Sequence, residues 1–367
     1  MRVVILRQFS GPAVNALQRG LTLVEVMVAM TIGIILLLAM GSLLVNSTRV
    51  FKVSDDFARM QENGAYALNS IGSDLRMAGF YGATTTNDIQ ALTAVGEECG
   101  AGWATNFAQP LLGLPLSGDP ALTSTAAHAA MPCINQANFI GSAADRPSFI
   151  LVVRGATGVQ VAPANLDANT LYVQADSNGG MLFKGSQYAG FGTPPRRTVL
   201  GGAEAPIYAY QAKAYYLRPC SRPTGTGDTV CLATDDGNQP VPTLVRQELV
   251  GAAMTEVAVA EGIEAIRISY GIDTHAPPNG TPGKYTETPT LAEFAQVVAA
   301  RVSLLVRSPK PTAGYDDSSR RYDLDGDGNA ELGCADAPDL LPCNYHRHVF
   351  TQSFQVRNIA QRLESQP

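Results

Sequence analysis

The amino-acid sequence predicts an α+β fold in which one long N-terminal helix packs on an antiparallel β-sheet and the loops carry disulfides. Three observations lead to this prediction. Residues 21–81 contain no proline, and their apolar side chains recur at helical spacing. The later part of the chain alternates short strand-like runs with turns rich in glycine and proline. All six cysteines follow the N-terminal helix.

The first half of the predicted helix, residues 21–45, is apolar all round apart from Glu25. At about 1.5 Å per residue it would be roughly 37 Å long, more than the roughly 30 Å hydrocarbon core of a bilayer. A carboxylate inside such a span costs at least about 2.5 kcal/mol, which marks Glu25 as a functional candidate. The second half, residues 46–80, is amphipathic and is expected to pack on a globular part formed by residues 81–367.

Residues 1–20 form a separate leader. It contains Arg2, Arg7 and Arg19 and no acidic residue, so we expect it to stay on the cytoplasmic side of the membrane. The run from Gly20 through Leu21 to Glu25 resembles the processing signal of type IV prepilins and pseudopilins, although Leu21 stands where that family most often has phenylalanine. The resemblance implies that a prepilin peptidase cuts between Gly20 and Leu21 and methylates the new amino group of Leu21. It also implies that Glu25 acts in assembly, paired with an amino terminus.

Two other interpretations of this segment fit less well. A secretory signal has a shorter apolar core and a small-residue cleavage site, which this chain lacks. A plain signal anchor fits the length and the basic leader, but it does not account for a glycine and a glutamate at the head of the span.

Composition limits the partners and the cross-links that the globular part can have. The formal net charge of −6 argues against nucleic acid as a partner, since nucleic-acid-binding proteins present a basic face. Six cysteines outside the cytoplasm favour disulfides, and we expect sequence neighbours to pair because each pair brackets a loop rich in proline or glycine. Zinc is the rival explanation, but no CxxC spacing supports it. The expected pairs are Cys99–Cys133, Cys220–Cys231 and Cys334–Cys343.

Residues 84–146 are expected to form a long loop region with short elements, and the strands follow it. Strand-like runs occur at 149–154, 170–174, 181–184, 207–217, 229–233, 244–250, 257–270, 294–306 and 348–356. The start of the run at 294–306 could also be helical, whereas its end alternates as a strand does. Four blocks, at 71–82, 262–273, 297–309 and 348–358, resemble the PilW family of type IV pilus minor pilins. This resemblance implies a pilin-like lollipop, in which the C-terminal half of the long helix lies on the sheet.

One motif is typical of metal binding. Oxygen side chains alternate with other residues around a turn that two glycines permit, and calcium requires several oxygen ligands around one point. The twelfth position of this loop is Cys334, where an EF-hand has glutamate. A solvated acidic turn is the alternative. The expected calcium ligands are Asp323, Asp325, Asp327, Asn329 and Glu331.

No enzyme motif is found, and a metal site at His346 and His348 lacks a third ligand. The family resemblance implies a minor pilin that helps to prime and cap the type IV pilus at its tip, and that supports twitching motility and adhesion. Its expected partners are other minor pilins, the major pilin, the prepilin peptidase, the inner-membrane assembly platform and the membrane itself. The expected location is the inner membrane, with a periplasmic domain, before assembly and the pilus afterwards.

Two alternative functions stay open at this stage. One is a minor pseudopilin of a type II secretion system, which would share the fold and the processing signal. The other is a membrane-anchored, calcium-dependent adhesin or hydrolase that never polymerises.

Overall fold

The computed structural model describes residues 22–84, 88–95, 99–100, 102–116, 127–140, 147–190, 202–251, 253–330, 332–336 and 341–365. The expected cleavage site at Gly20 and Leu21, together with Glu331, lies outside these residues. The chain divides into two compact parts, Met1–Asp55 and Asp56–Pro367, which are described separately.

The described portion of the first part belongs to helix α1, which spans Leu23–Met77. The predicted helix over residues 21–78 is therefore observed with slightly shorter ends. Almost every side chain from 23 to 45 is exposed, and the segment is long and apolar enough to cross a membrane. The continuous helix reflects a sequence without proline, in which glycines are tolerated at two positions of the apolar half.

The second part contains two β-sheets. The larger sheet consists of eight strands, β1 (Ile89–Ala91), β2 (Leu111–Leu116), β3 (Ser148–Val161), β4 (Leu171–Asp176), β5 (Gly179–Lys184), β6 (Ile207–Arg218), β7 (Thr243–Val250) and β8 (Ala253–Glu261). Strand β6 is its centre, because one edge pairs with β3 and the other edge pairs first with β4 and then with β7. β1 runs parallel to β5, and the other pairings are antiparallel.

The smaller sheet is antiparallel throughout, in the order β10-β9-β11-β12. Its strands are β9 (Ile263–Ile272), β10 (Lys284–Thr286), β11 (Val297–Arg307) and β12 (Arg347–Gln355), and a second helix, α2 (Arg357–Glu364), follows. The α+β prediction, a long helix with antiparallel-rich sheets and disulfides, is thus confirmed.

Gly262 is where the chain passes from one sheet to the other. The sequence pattern predicts one strand over 257–270, but the structure has β8 in the larger sheet and β9 in the smaller one. Gly262 has φ +80, and an added Cβ would lie 2.8 Å from the carbonyl oxygen of Arg307. Only glycine accommodates both the left-handed backbone and the close approach, so the strand is divided at this residue.

Residues 60–75 of α1 share a hydrophobic core with both sheets. Met60, Ala67, Leu68, Ile71 and Leu75 are buried in one cluster with apolar side chains of β3, β6, β9, β11 and α2. This arrangement explains why the second half of α1 is amphipathic, since its apolar side chains recur where the sheets cover it.

Two glycines let strand β12 approach α1 closely. A Cβ at Gly64 would lie 2.6 Å from Cδ2 of Phe350, and a Cβ at Gly72 would lie 2.1 Å from Cε1 of Phe354. The rings therefore occupy space that any other residue at these helix positions would fill. Here packing against the rings outweighs the low helix propensity of glycine.

One local expectation needs correction. Residues 229–233 do not form a strand; an isolated bridge joins Gly225 to Val230, because the disulfide Cys220–Cys231 ties the middle of this segment back. At 294–306, where the sequence pattern left a helical start open, the short 3-10 helix Glu293–Gln296 precedes β11. The expected loop region with short elements at 84–146 contains the strands β1 and β2.

We expect Gly72→Leu to lower the free energy of unfolding by about 1–3 kcal/mol, because the new side chain overlaps the buried ring of Phe354. Thermal unfolding of the purified chain measures the effect. Ala65→Leu, at an exposed position of the same helix, is the matched control and should change stability little. Equal stability of the two variants would show that the ring contact does not stabilise the fold.

Candidate functional site

Glu25 lies in the first turn of α1 and forms a capping box with Thr22. Its Oε2 accepts hydrogen bonds from the backbone N–H of Thr22 at 3.0 Å and from the Thr22 hydroxyl at 2.9 Å. The Thr22 hydroxyl in turn accepts from the Glu25 N–H at 3.3 Å. The two residues thus satisfy donors that the helix start would leave unpaired.

This geometry adds a role for Thr22 that the sequence analysis missed, although the T-x-x-E spacing is its usual signature. The expected pairing of Glu25 with an amino terminus concerns residues outside the described ones. Within residues 22–84, Glu25 accepts from Thr22 with one carboxylate oxygen, and its other oxygen has no donor there.

The side chains that follow Glu25 form an exposed apolar surface. Leu37, Leu38 and Leu43 are about 70% exposed, and the polar Thr31 and Ser42 hydroxyls bond to carbonyls of their own helix. A soluble monomer would expose this whole surface to water, which indicates a membrane or neighbouring apolar helices as its natural surroundings.

The acidic loop forms a second candidate site. Carboxylate oxygens of Asp323, Asp325 and Asp327 lie within 4.8 Å of one another. Asp323 accepts backbone N–H bonds from Gly326 at 2.6 Å and Gly328 at 3.0 Å, which fold the loop around this carboxylate. Gly328, at the sixth position, has φ +90, the conformation that a calcium loop requires of its glycine.

Asn329 contributes to this loop through Asp327. Its side-chain amide and its backbone N–H donate to the Asp327 carboxylate at 3.0 and 2.7 Å, and these bonds lower the pKa of Asp327. The four described ligand candidates therefore lie in one loop, and the oxygens of the three aspartates are close together, a donor set of the kind that calcium prefers.

Two arginines attach the acidic loop to the smaller sheet. Nη2 of Arg267, on β9, lies 3.2 Å from Oδ2 of Asp325, and the same guanidinium pairs with Glu287. Nη1 of Arg301, on β11, donates to the Asp325 carbonyl oxygen at 2.9 Å. These positive charges offset part of the repulsion among the aspartates. Single arginines in two strands do not stand out in the sequence, so this contact could not be predicted from it.

A buried ion-pair network anchors the segment before this loop. The Arg347 guanidinium lies 2.6 Å from Oε2 of Glu264 and 3.2 Å from Oδ2 of Asp317, and all three side chains are buried. The hydroxyls of Tyr315 and Tyr322 donate to Asp317 at 2.8 and 2.7 Å. Burial, together with the neighbouring Asp317 carboxylate, raises the pKa of Tyr315 to about 12, so its hydroxyl stays protonated as a donor.

The two C-terminal histidines have different surroundings. His346 is buried against Tyr315, with ring centroids 3.7 Å apart, and burial lowers its pKa; His348 is exposed on β12.

The structure joins the cysteines as sequence neighbours, in the pairs Cys99–Cys133, Cys220–Cys231 and Cys334–Cys343. The last pair closes the loop region next to the acidic turn.

Comparison with known proteins connects these features to a family. Residues 15–41 match the prokaryotic N-terminal methylation motif, which covers Gly20, Leu21 and Glu25. Residues 231–358 match the type IV pilus-assembly protein W family. This chain carries the PilW family signature. The resemblance stated from the sequence is confirmed, and the family is one of pilus-assembly proteins rather than enzymes.

The PilW match includes β9, β11 and β12, the acidic loop and the buried ion-pair network. Among solved structures, a type IV-like pilin from Thermus thermophilus matches with 15% identity, over 41% of this chain and 70% of that chain. Its TM-score is 0.22, so no argument rests on this likeness. No curated relative matches the chain.

We expect Glu264→Gln to lower the free energy of unfolding by about 3–5 kcal/mol, because it leaves Arg347 and Arg307 short of a buried counter-charge. Chemical denaturation of the purified chain measures this. Glu287→Gln is the matched control, since Glu287 pairs with Arg267 at a more exposed site and should cost about 1 kcal/mol or less. A Glu264→Gln chain as stable as the control would contradict the anchoring role.

Proposed function

We propose that this protein is a minor pilin that helps to prime and cap the type IV pilus at its tip. The observation that carries the proposal is the combination of the methylation motif, including Glu25, with a PilW-type folded part on one continuous helix. The pilin-type signal and the apolar helix suit membrane anchoring followed by incorporation into a pilus.

The proposed mechanism is assembly. The basic leader keeps the N-terminus cytoplasmic while the folded part crosses to the oxidising side, where the disulfides form. Cleavage by the prepilin peptidase exposes the amino group of Leu21, and residues 23–45 hold the subunit in the inner membrane. Extraction by the assembly platform then replaces lipid contacts with helix-to-helix contacts to other minor pilins and the major pilin.

Glu25 would set the direction of docking. Among the described residues, its carboxylate accepts from Thr22. An adjacent subunit's methylated amino group would add a charged donor at the same carboxylate, and such a pair is much stronger in an apolar surrounding than in water. Docking in register would thereby be favoured over other axial positions.

A minor pseudopilin of a type II secretion system is the second candidate, because the same processing and helix would serve it. The PilW match favours the pilus. Deletion separates the two: loss of twitching motility and surface pili supports the proposal, whereas loss of exoprotein secretion with normal pili supports the alternative.

We further propose that the acidic loop binds calcium through Asp323, Asp325, Asp327, Asn329 and Glu331. Support comes from the clustered carboxylates and the left-handed glycine at the sixth position. Bound calcium would add positive charge to that of Arg267, which contacts Asp325, and would hold the loop beside the disulfide Cys334–Cys343. The role is structural.

We expect Glu25→Gln to leave processing intact and to lower the amount of the protein in sheared pili severalfold, because the neutral amide cannot form an ion pair. Quantitative immunoblotting of pilus and membrane fractions measures incorporation, and intact mass shows whether the mature chain begins with methylated Leu21. Thr31→Ala is the matched control, since the Thr31 hydroxyl only bonds Val28 of its own helix. Normal incorporation of Glu25→Gln would refute the docking role.

We expect calcium to stabilise the purified chain, by about 2.7 kcal/mol when free calcium is a hundredfold above its dissociation constant. Thermal unfolding with calcium and with chelator measures this shift. Asp327→Asn should abolish the shift, whereas Asp316→Asn, an exposed aspartate outside the cluster, should keep it. No shift in the wild type, with no bound ion at saturating calcium, would exclude the site.

A further inference from the structure

Strand β12 has one neighbour in the smaller sheet, β11, and its other edge is unpaired among the described residues. The Val356 N–H donates to the Val298 carbonyl, and the Ser308 N–H donates to the His346 carbonyl, each at 2.8 Å. Antiparallel ladders alternate, so the even-numbered residues of β12 bond to β11 and the odd-numbered ones direct their N–H and C=O groups outward. After Arg347, whose side chain is buried in ion pairs, the outward residues are Val349, Thr351, Ser353 and Gln355.

This edge lacks the features that normally keep sheet edges from pairing. Residues 348–355 contain no Lys, Arg, Asp, Glu, Pro or Gly, and the register with β11 runs without a bulge. Thr351, Ser353 and Gln355 are exposed. A long, regular and uncharged edge is a ready template for another strand.

The other strands with a single neighbour in the described part of the chain are protected. β1 and β10 have only three residues each. β2 contains Pro115, and β8 carries Glu256 and has a register shift against β7. Short strands, proline, charge and bulges are the usual protection of an edge, so β12 differs from the rest of the molecule.

We propose that the outer edge of β12 is a docking site to which another pilin-type subunit adds an extended strand. The inference rests on the proposed function, which supplies a partner of this kind, and it assigns the surface that the partner uses. Backbone hydrogen bonds from the four outward residues would provide the affinity, as in other cases of β-strand addition.

The two faces of β12 define the chemistry of the incoming strand. Phe350 and Phe354 point towards α1, so the apolar side chains of the incoming strand would lie on that side of the sheet. Thr351 lies on the other face, where its hydroxyl meets Ser303 at 2.9 Å, so small polar side chains suit that side. The segment would be neutral, since a charge would find no counter-charge along residues 348–355.

A second copy paired antiparallel is a poorer occupant. From Gly64 to Gly72 the helix rises about 12 Å, and from Phe350 to Phe354 the strand rises about 13 Å, so α1 and β12 run in the same direction. Antiparallel self-pairing would reverse this α1 segment in one copy relative to the other. Side-by-side assembly, as in the proposed function, needs these helix segments to run in one direction, so antiparallel self-pairing does not suit it.

The test uses the full chain in detergent, co-expressed with each of the other pilin-type subunits of its own assembly system. Residue-resolved hydrogen exchange is compared for the free chain and the complex. We expect the amides of residues 349, 351, 353 and 355 to exchange at least about tenfold more slowly in the complex, while the even-numbered amides are protected in both states.

Ser353→Pro supplies a second, independent measurement. Its N–H points outward, so proline removes no bond to β11 and should leave the thermal midpoint nearly unchanged. We expect subunit binding to fall roughly tenfold relative to Ser353→Ala, which keeps the N–H and removes the same hydroxyl. If Ser353→Pro fails to fold, the hydrogen-exchange pattern of the wild-type complex still shows whether a strand is added to β12.

The possible outcomes are distinct. A complex without the alternating protection, or one that Ser353→Pro forms as well as Ser353→Ala, overturns strand addition and leaves the minor-pilin function standing. Alternating protection in a homodimer, with no bound subunit, overturns the assigned partner. Failure of the wild type to bind any pilin-type subunit overturns both proposals.

Discussion

The hydrophobic core that residues 60–75 of α1 share with both sheets is the interaction on which the folded part depends. The helix contributes apolar side chains to this core, which also contains residues of β3, β6, β9 and β11. The close contact with β12 is possible because Gly64 and Gly72 leave room for the rings of Phe350 and Phe354. The same helix begins in a segment that is long and apolar enough to cross a membrane.

The smaller sheet has a second organising feature, the buried ion pairs of Glu264, Arg347 and Asp317. Such a network adds little net stability over apolar residues, but the loss of one partner is costly. The network positions the acidic loop, because Asp317 and the tyrosines bonded to it fix the segment that leads into this loop. The candidate calcium ligands are therefore held over β9 and β11, where Arg267 and Arg301 also contact the loop.

The long helix, the PilW resemblance and most of the strands could be predicted from local pattern. They could be predicted because a 3.6-residue or two-residue period of apolar side chains is a property of short stretches of chain. The errors occur where distant residues decide the local structure. Residues 229–233 have strand composition, yet the disulfide from Cys231 to Cys220 holds them in a turn region. Gly262 divides an alternating run because the Arg307 carbonyl lies against it.

The candidate sites divide in the same way. Gly20, Leu21 and Glu25 were recognisable because a processing signal and a membrane span are linear segments of the chain. The aspartates of the acidic loop were recognisable because a metal-binding loop is contiguous in sequence. The capping box of Thr22 with Glu25 is also local. The arginines that contact Asp325 and the Glu264–Arg347–Asp317 network join residues far apart in the chain.

By itself, the sequence determined the pilin-type signal, the long helix and the resemblance to the PilW family, since each depends on short stretches of consecutive residues. Only the tertiary structure decided that there are two sheets, that α1 shares a core with both, and that residues 348–355 of β12 form an edge that is unpaired in the described chain. Which strands are neighbours depends on contacts between residues far apart in sequence, and a local pattern does not contain those contacts.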